Sequence, residues 1–261
     1  MIAPAWQPTS CLLDKARPPA AARGLQGRSP LEELWEAALN EDWERIYSLG
    51  LTHHMCSEWS SVAERCSVLR SLVVTYGVCR ALEVGCFCGM GALAMAEAMP
   101  DDGEVHALER DRFAVEFGRR FWARSLHGRK IRHSIGPVLE SLRLLAAEAR
   151  AGRLHPFGLA VVNANKENMR KCFQLLWESP GLLRKDATVC VDTVPLKQQS
   201  PVRCDKPGAV HRWEVGSQQE ELIALRDAVM ASPAFEAREF GGMLIVQRAQ
   251  LSAHREAGLE C

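Results

Sequence analysis

The chain has 261 residues, with 32 Lys plus Arg set against 32 Asp plus Glu. That length buries one sizeable core, and the balanced charge supplies no basic excess for nucleic acid or an anionic membrane surface. No apolar run approaches the roughly 20 residues that a membrane-spanning helix needs, so the expectation is a cytoplasmic protein with neither nucleic-acid nor membrane partners. Residues 1–28 hold four prolines and six alanines, and Lys15, Arg17, Arg23 and Arg28 face the single acid Asp14. They read as a flexible tail or as an organelle transit peptide, which is typically Arg-rich and acid-poor. Residues 29–261 read as one domain.

Ser29 followed by Pro30-Leu-Glu-Glu-Leu-Trp-Glu-Ala-Ala-Leu predicts a capped helix. A second helix is predicted from Ser57 to about Tyr76, with Val62, Cys66, Leu69 and Leu72 on one face. Short apolar strands then alternate with amphipathic helices. The strands are Arg80–Gly85, Glu104–Glu109, Lys130–Ile135, Gly158–Asn163 and Ala187–Thr193, and the helices begin near Gly89, Asp111, Pro137 and Lys166. Such alternation implies a parallel sheet covered on both faces. A further helix is expected at about Ser217–Ala231, then Ala234–Phe240, a Gly241-Gly242 turn and Met243–Arg248 as a hairpin. The ten cysteines form no C-x-x-C pair, and Cys86-x-Cys88 lacks a second pair at zinc-finger spacing. They read as buried, reduced thiols.

The sharpest local signal is Glu83-Val-Gly85-Cys-Phe87-Cys-Gly89-Met-Gly91, a strand running into a glycine-rich turn that opens a helix. Ligands of open α/β sheets bind outside the carboxyl ends of the strands. The spacing G-x-x-x-G-x-G differs from the G-x-G-x-x-G of dinucleotide binders, which disfavours a nicotinamide oxidoreductase. Glu109 ends the next strand, where a carboxylate can accept both hydroxyls of a ribose.

Together with Ala107-Leu-Glu-Arg-Asp, Ile135-Gly-Pro-Val-Leu-Glu-Ser-Leu, Val162-Asn-Ala-Asn-Lys-Glu-Asn and Val191-Asp-Thr, this segment resembles the caffeoyl-CoA and catechol O-methyltransferase family from about Gly50 to Arg248. The resemblance implies a Rossmann-like α/β methyltransferase fold: a mostly parallel seven-stranded sheet, an antiparallel C-terminal hairpin and helices on both faces. It implies S-adenosylmethionine as cofactor, held by Glu83, Gly85, Phe87, Gly91 and Glu109. Met55 and Ser57 before the second helix, and Gly136 and Pro137 at the adenine, complete that set with Asn163. Many relatives are dimers, and residues 30–50 offer a candidate interface helix for a homodimer.

Family members bind Mg²⁺ or a similar ion through an Asp ending strand four and an Asp-Asn pair ending strand five. Here those positions are Asn163 and Asp192-Thr193, so two carboxylates have become one. Magnesium favours carboxylate oxygen, and the expectation is weak or absent metal dependence. Lys166 follows the strand-four position in the first turn of a helix. The macrodipole there disfavours the ammonium form, so Lys166 is the expected base, with Asn163 and Asp192 as its catalytic neighbours. His53 and His54 are alternative bases if the metal is lost; they read equally as capping or surface residues, and His155 and His211 have less support. Residues 194–215 are expected to line the acceptor pocket, with Trp213 either stacking on a planar substrate or sitting in the core. The resulting expectation is an O-methyltransferase for a small hydroxylated molecule. A non-catalytic cofactor-binding relative acting through protein partners is the alternative that Asn163 leaves open.

Overall fold

The computed structural model describes residues 27–53, 63–164, 166–193 and 215–249. Helix α1 (Pro30–Asn40) starts as expected from Ser29. The Ser29 hydroxyl accepts the Glu32 N–H and the Glu32 carboxylate accepts the Ser29 N–H, so two orphan donors of the first turn are satisfied. A short helix α2 (Trp43–Ser48), capped by Asp42, was not foreseen; six residues are too few to show a helical period. Helix α3 (Ala63–Thr75) covers the described part of the helix expected from Ser57.

Five βα units follow. They are β1 (Arg80–Val84) and α4 (Met90–Ala98), β2 (Glu104–Glu109) and α5 (Arg112–Trp122), β3 (Ile131–Ile135) and α6 (Val138–Arg150), β4 (Phe157–Val162) and α7 (Lys166–Glu178), and β5 (Leu183–Asp192) with α8 (Val215–Ala231). A 3₁₀ turn, Gly128–Lys130, takes the first residue of the strand expected from Lys130. Strand β5 begins four residues before the expected Ala187, because its exposed Arg184-Lys185-Asp186 start hides a strand among polar residues. The chain closes with β6 (Phe235–Phe240) and β7 (Met243–Arg248).

The seven strands lie in the order β3-β2-β1-β4-β5-β7-β6. Strands β1 to β5 pair in parallel, and β7 runs antiparallel to both β5 and β6. This is the expected Rossmann-like architecture. The order reverses at β1, which makes the carboxyl edge between β1 and β4 a topological switch point.

Side chains alternate across each strand, and the two faces bury different helices. Leu82, Val84, Ala160, Val162, Val189 and Val191 pack with α6, α7 and α8. Ala81, Ala107, Val161, Cys190 and Ile245 pack against α3 and α4. By the same alternation Glu83, Asn163 and Asp192 fall on the second face, under α3. A third cluster joins Leu34, Trp43, Phe87, Leu93 and Phe117, seating α1 and α2 against α4 and α5. Among the described residues no helix is long and apolar enough to cross a membrane.

Candidate cofactor and acceptor site

The turn after β1 is held by backbone donors. The Gly85 and Cys86 N–H groups both donate to the Leu108 carbonyl of β2, at 2.9 and 3.1 Å. Gly85 adopts φ +85, and a Cβ there would lie 2.5 Å from the Asn163 carbonyl oxygen. Only glycine therefore lets the first loop close against the end of β4. Phe87 is the one described non-glycine residue with positive φ, at 50°, a costly conformation that persists only where its surroundings over-determine it. Its N–H donates to Glu109 Oε2 at 2.8 Å, and its ring lies 4.8 Å from that of Trp43. Phe87 thus lends its backbone to the loop, while its ring belongs to the apolar cluster beneath.

Glu109 is buried and also accepts the Asp111 N–H through Oε1, at 3.0 Å. It therefore ties the loop after β1 to the loop after β2. The Glu109 carbonyl accepts from Gly136 N–H at 2.9 Å, bringing the loop after β3 to the same edge; Pro137 precedes α6 beside it. Glu83, expected at the cofactor, lies 1% exposed beneath the loop. Its carboxylate accepts from the Ala92 N–H, and a Cβ on Gly91 would sit 2.2 Å from Oε1. Gly91 thus makes room for Glu83. Burial pushes the Glu83 carboxyl up to about 8, with Glu109 adding to the rise and the Ala92 N–H and Arg65 opposing it.

Asp111, read in the sequence only as the start of a helix and the end of the Ala107-Leu-Glu-Arg-Asp segment, fastens the chain ahead of α3 to this edge. Its Oδ1 caps α5 at Phe113 and Ala114, and its Oδ2 accepts from the Thr52 hydroxyl and the His53 N–H, each at 2.6 Å. The signal available was an Asp two residues after the strand-end acid, at a helix N-cap. His53 itself is exposed. Met55, Ser57, His54, His211, Trp213 and the expected acceptor loop at 194–214 lie outside the described residues. His155 is described, in the loop before β4.

Asn163 follows β4, and its N–H donates to Val84 O at 2.9 Å. The β4–β5 register places Val162 beside Val191, and so Asn163 beside Asp192. Thr193 N–H donates to the Gly242 carbonyl of the β6–β7 turn. Lys166 is the first residue of α7, three positions past Asn163. Asp192 is 5% exposed and pairs with Arg65 of α3, Nη1 to Oδ2 at 2.6 Å. Arg65 was missed in the sequence, although it continues the buried stripe Val68, Leu69, Leu72 and Val73 at helical spacing. An arginine inside an apolar stripe signals a buried partner.

A divalent cation does not fit this donor set. Its single carboxylate is already engaged by a guanidinium; beside it stand a neutral amide and a hydroxyl. Two unit charges about 4 Å apart repel by about 4 kcal/mol at an effective dielectric of about 20, and a divalent ion beside Arg65 doubles that. Among the described residues no group of three or more His, Cys, Asp or Glu is placed to hold a metal. The buried thiols are no substitute nucleophiles: burial pushes Cys66 up to about 12 and raises Cys86 and Cys88 well above the ordinary thiol value.

Comparison with known proteins agrees with this architecture. Tricin synthase 1 of Oryza sativa subsp. japonica is 36% identical over 57% of this chain and 61% of its own length. Catechol O-methyltransferase domain-containing protein 1 of Mus musculus is 32% identical over 64% of this chain and 67% of its own. The chain therefore spans about two thirds or less of those relatives. The solved O-methyltransferase TomG from Streptomyces achromogenes, in complex with SAM, superposes with a TM-score of 0.65 over 88% of this chain and 94% of its own, at 19% identity, which speaks to the fold. The family profile described as O-methyltransferase matches residues 45–205, more than half of the chain. The chain belongs to the O-methyltransferase family.

Proposed function

We propose that this protein transfers the methyl group of S-adenosylmethionine to a hydroxyl of a small molecule with neighbouring hydroxyls, of catechol, phenylpropanoid or enediol type. The observation that carries the reading is Glu109: buried at the carboxyl end of β2, it is locked to the Phe87 and Asp111 N–H groups, one strand away from the switch point of the sheet. A carboxylate that ends a strand at this edge is placed to accept ribose hydroxyls, and glycine at position 85 lets the loop after β1 close against the end of β4. Family membership points the same way.

When bound, the cofactor supplies an electrophilic methyl on a sulfonium. The chain's own residues position the acceptor and take its proton. Lys166, at the N-terminal end of α7 and close in sequence to Asn163, is the proposed base. The Lys166 amine would take the proton that the acceptor hydroxyl gives up on methylation. Catalysis of this kind is mostly positioning and charge stabilisation. Asn163 and Asp192, neighbours at the strand ends, flank the acceptor in this reading. The donor set argues against a step that depends on a divalent metal.

The test is calorimetry with S-adenosylhomocysteine, followed by transfer of labelled methyl to a panel of catechols and phenylpropanoids. Binding and turnover are expected, with turnover in Lys166→Ala lower by about two to four orders of magnitude. Absence of any heat or thermal shift with either nucleoside sinks the reading. Unchanged turnover in Lys166→Ala removes that lysine from the mechanism.

A further inference from the structure

Arg65 is 4% exposed on α3, among side chains that are otherwise apolar. A buried ion pair of this kind is weak ground for stability, since well-packed apolar residues of similar volume often do as well or better. Its place is more informative than its strength. Asp192 ends β5 and Asn163 follows β4, each one position past the paired Val191 and Val162, and strand alternation assigns both to the sheet face that α3 covers. Arg65 reaches over that face to Asp192 at 2.6 Å, and its charge is also felt by Glu83 at the end of β1. The guanidinium therefore lies across the carboxyl edge where an open sheet of this kind binds its ligands.

The charges around it balance. Asn163 and Thr193 are neutral, Asp192 carries one negative charge and Arg65 one positive. Among the described residues the cluster holds no surplus anion to draw a second cation, and a guanidinium keeps its charge. We infer that Arg65 is a resident counter-ion of Asp192, which fills by a side chain the place a divalent ion would need and makes the acceptor site independent of metal. Arg65 is a positioning residue: it holds the Asp192 carboxylate in one orientation through a short, charge-assisted hydrogen bond. The inference rests on the methyltransferase reading for what the site does, but its own chemistry is cation binding and is measured without turnover.

Mn²⁺ is the probe, followed by the electron paramagnetic resonance of the free ion. The full-length protein at an equimolar, sub-millimolar concentration of Mn²⁺ is expected to leave the free-ion signal undiminished. The double variant Arg65→Gln/Asn163→Asp removes the resident cation and presents two carboxylates, and it is expected to bind Mn²⁺ roughly tenfold or more tightly than the parent. Arg65→Lys keeps the charge and is expected to stay metal-free. Stoichiometric uptake of Mn²⁺ by the parent, abolished in Asp192→Asn, overturns the inference. So does a double variant that melts cooperatively yet takes up no Mn²⁺. If the double variant does not fold, the parent measurement still decides. A parent that binds both S-adenosylhomocysteine and Mn²⁺ loses the counter-ion and keeps the methyltransferase reading; one that binds neither keeps the metal-free site and loses the methyltransferase.

Discussion

Glu83 carries the most informative single titration in the molecule. Its carboxyl is raised from 4.5 to about 8, chiefly by burial. Between those values the folded chain holds a proton that the unfolded chain has lost, so by linkage stability is full below about 4.5 and falls as pH climbs through about 8. Glu83→Gln removes that proton exchange. Its melting temperature relative to the parent is therefore expected to improve steadily from about pH 5 to about pH 9, and a constant difference across that range would show that Glu83 does not titrate there. Glu109 plays the opposite part, accepting two backbone N–H groups. Charged hydrogen bonds are each worth about 1.5–3 kcal/mol, so Glu109→Ala is expected to weaken S-adenosylhomocysteine binding by about tenfold or more in calorimetry. The acids were legible as residues, since Glu83 stands one residue before the end of an apolar strand and Glu109 ends the next. Their division of labour was not, because it depends on which backbone groups the folded loops bring to them.

Among the elements, the β1–α4 turn is tightly constrained. Gly85 combines φ +85 with a would-be Cβ contact of 2.5 Å to backbone that cannot swing aside. Gly85→Ala is accordingly expected to cost about 2 kcal/mol or more, read as a lower melting temperature, with cofactor affinity falling alongside it. An alanine variant of parental stability would mean that β1 and β4 can separate at their ends. This turn was legible because glycine spacing after an apolar strand is a local pattern. Helix α2 was not legible, and neither was the polar start of β5: one is too short for periodicity and the other lacks apolar alternation.

In the whole molecule, the N-terminal helices brace the cofactor edge. Trp43 is 2% exposed, donates its indole N–H to Ala38 O at 2.7 Å, and packs on Phe87, Phe113 and Phe117. Through Phe87 it backs the strained loop itself. Trp43→Ala is expected to cost about 3–5 kcal/mol in denaturant unfolding, and to weaken cofactor binding under conditions where the variant remains folded. Equal cofactor affinity in the folded variant would separate the helical brace from the site. The same packing aligns α3 over the sheet, so one layer both closes the core and delivers Arg65 to Asp192.

By itself the sequence determined the order of the elements, the glycine turn, the strand-end acids and the loss of one carboxylate at Asn163, because these are matters of local spacing and residue type. The tertiary structure alone decided that Asp192 meets Arg65, that Glu83 lies under Gly91, and that Asp111 holds Thr52 and His53. Arg65 and Asp192, and Thr52 and Asp111, are far apart along the chain, and only the packing of α3 and the loops against the carboxyl edge of the sheet brings them within bonding distance.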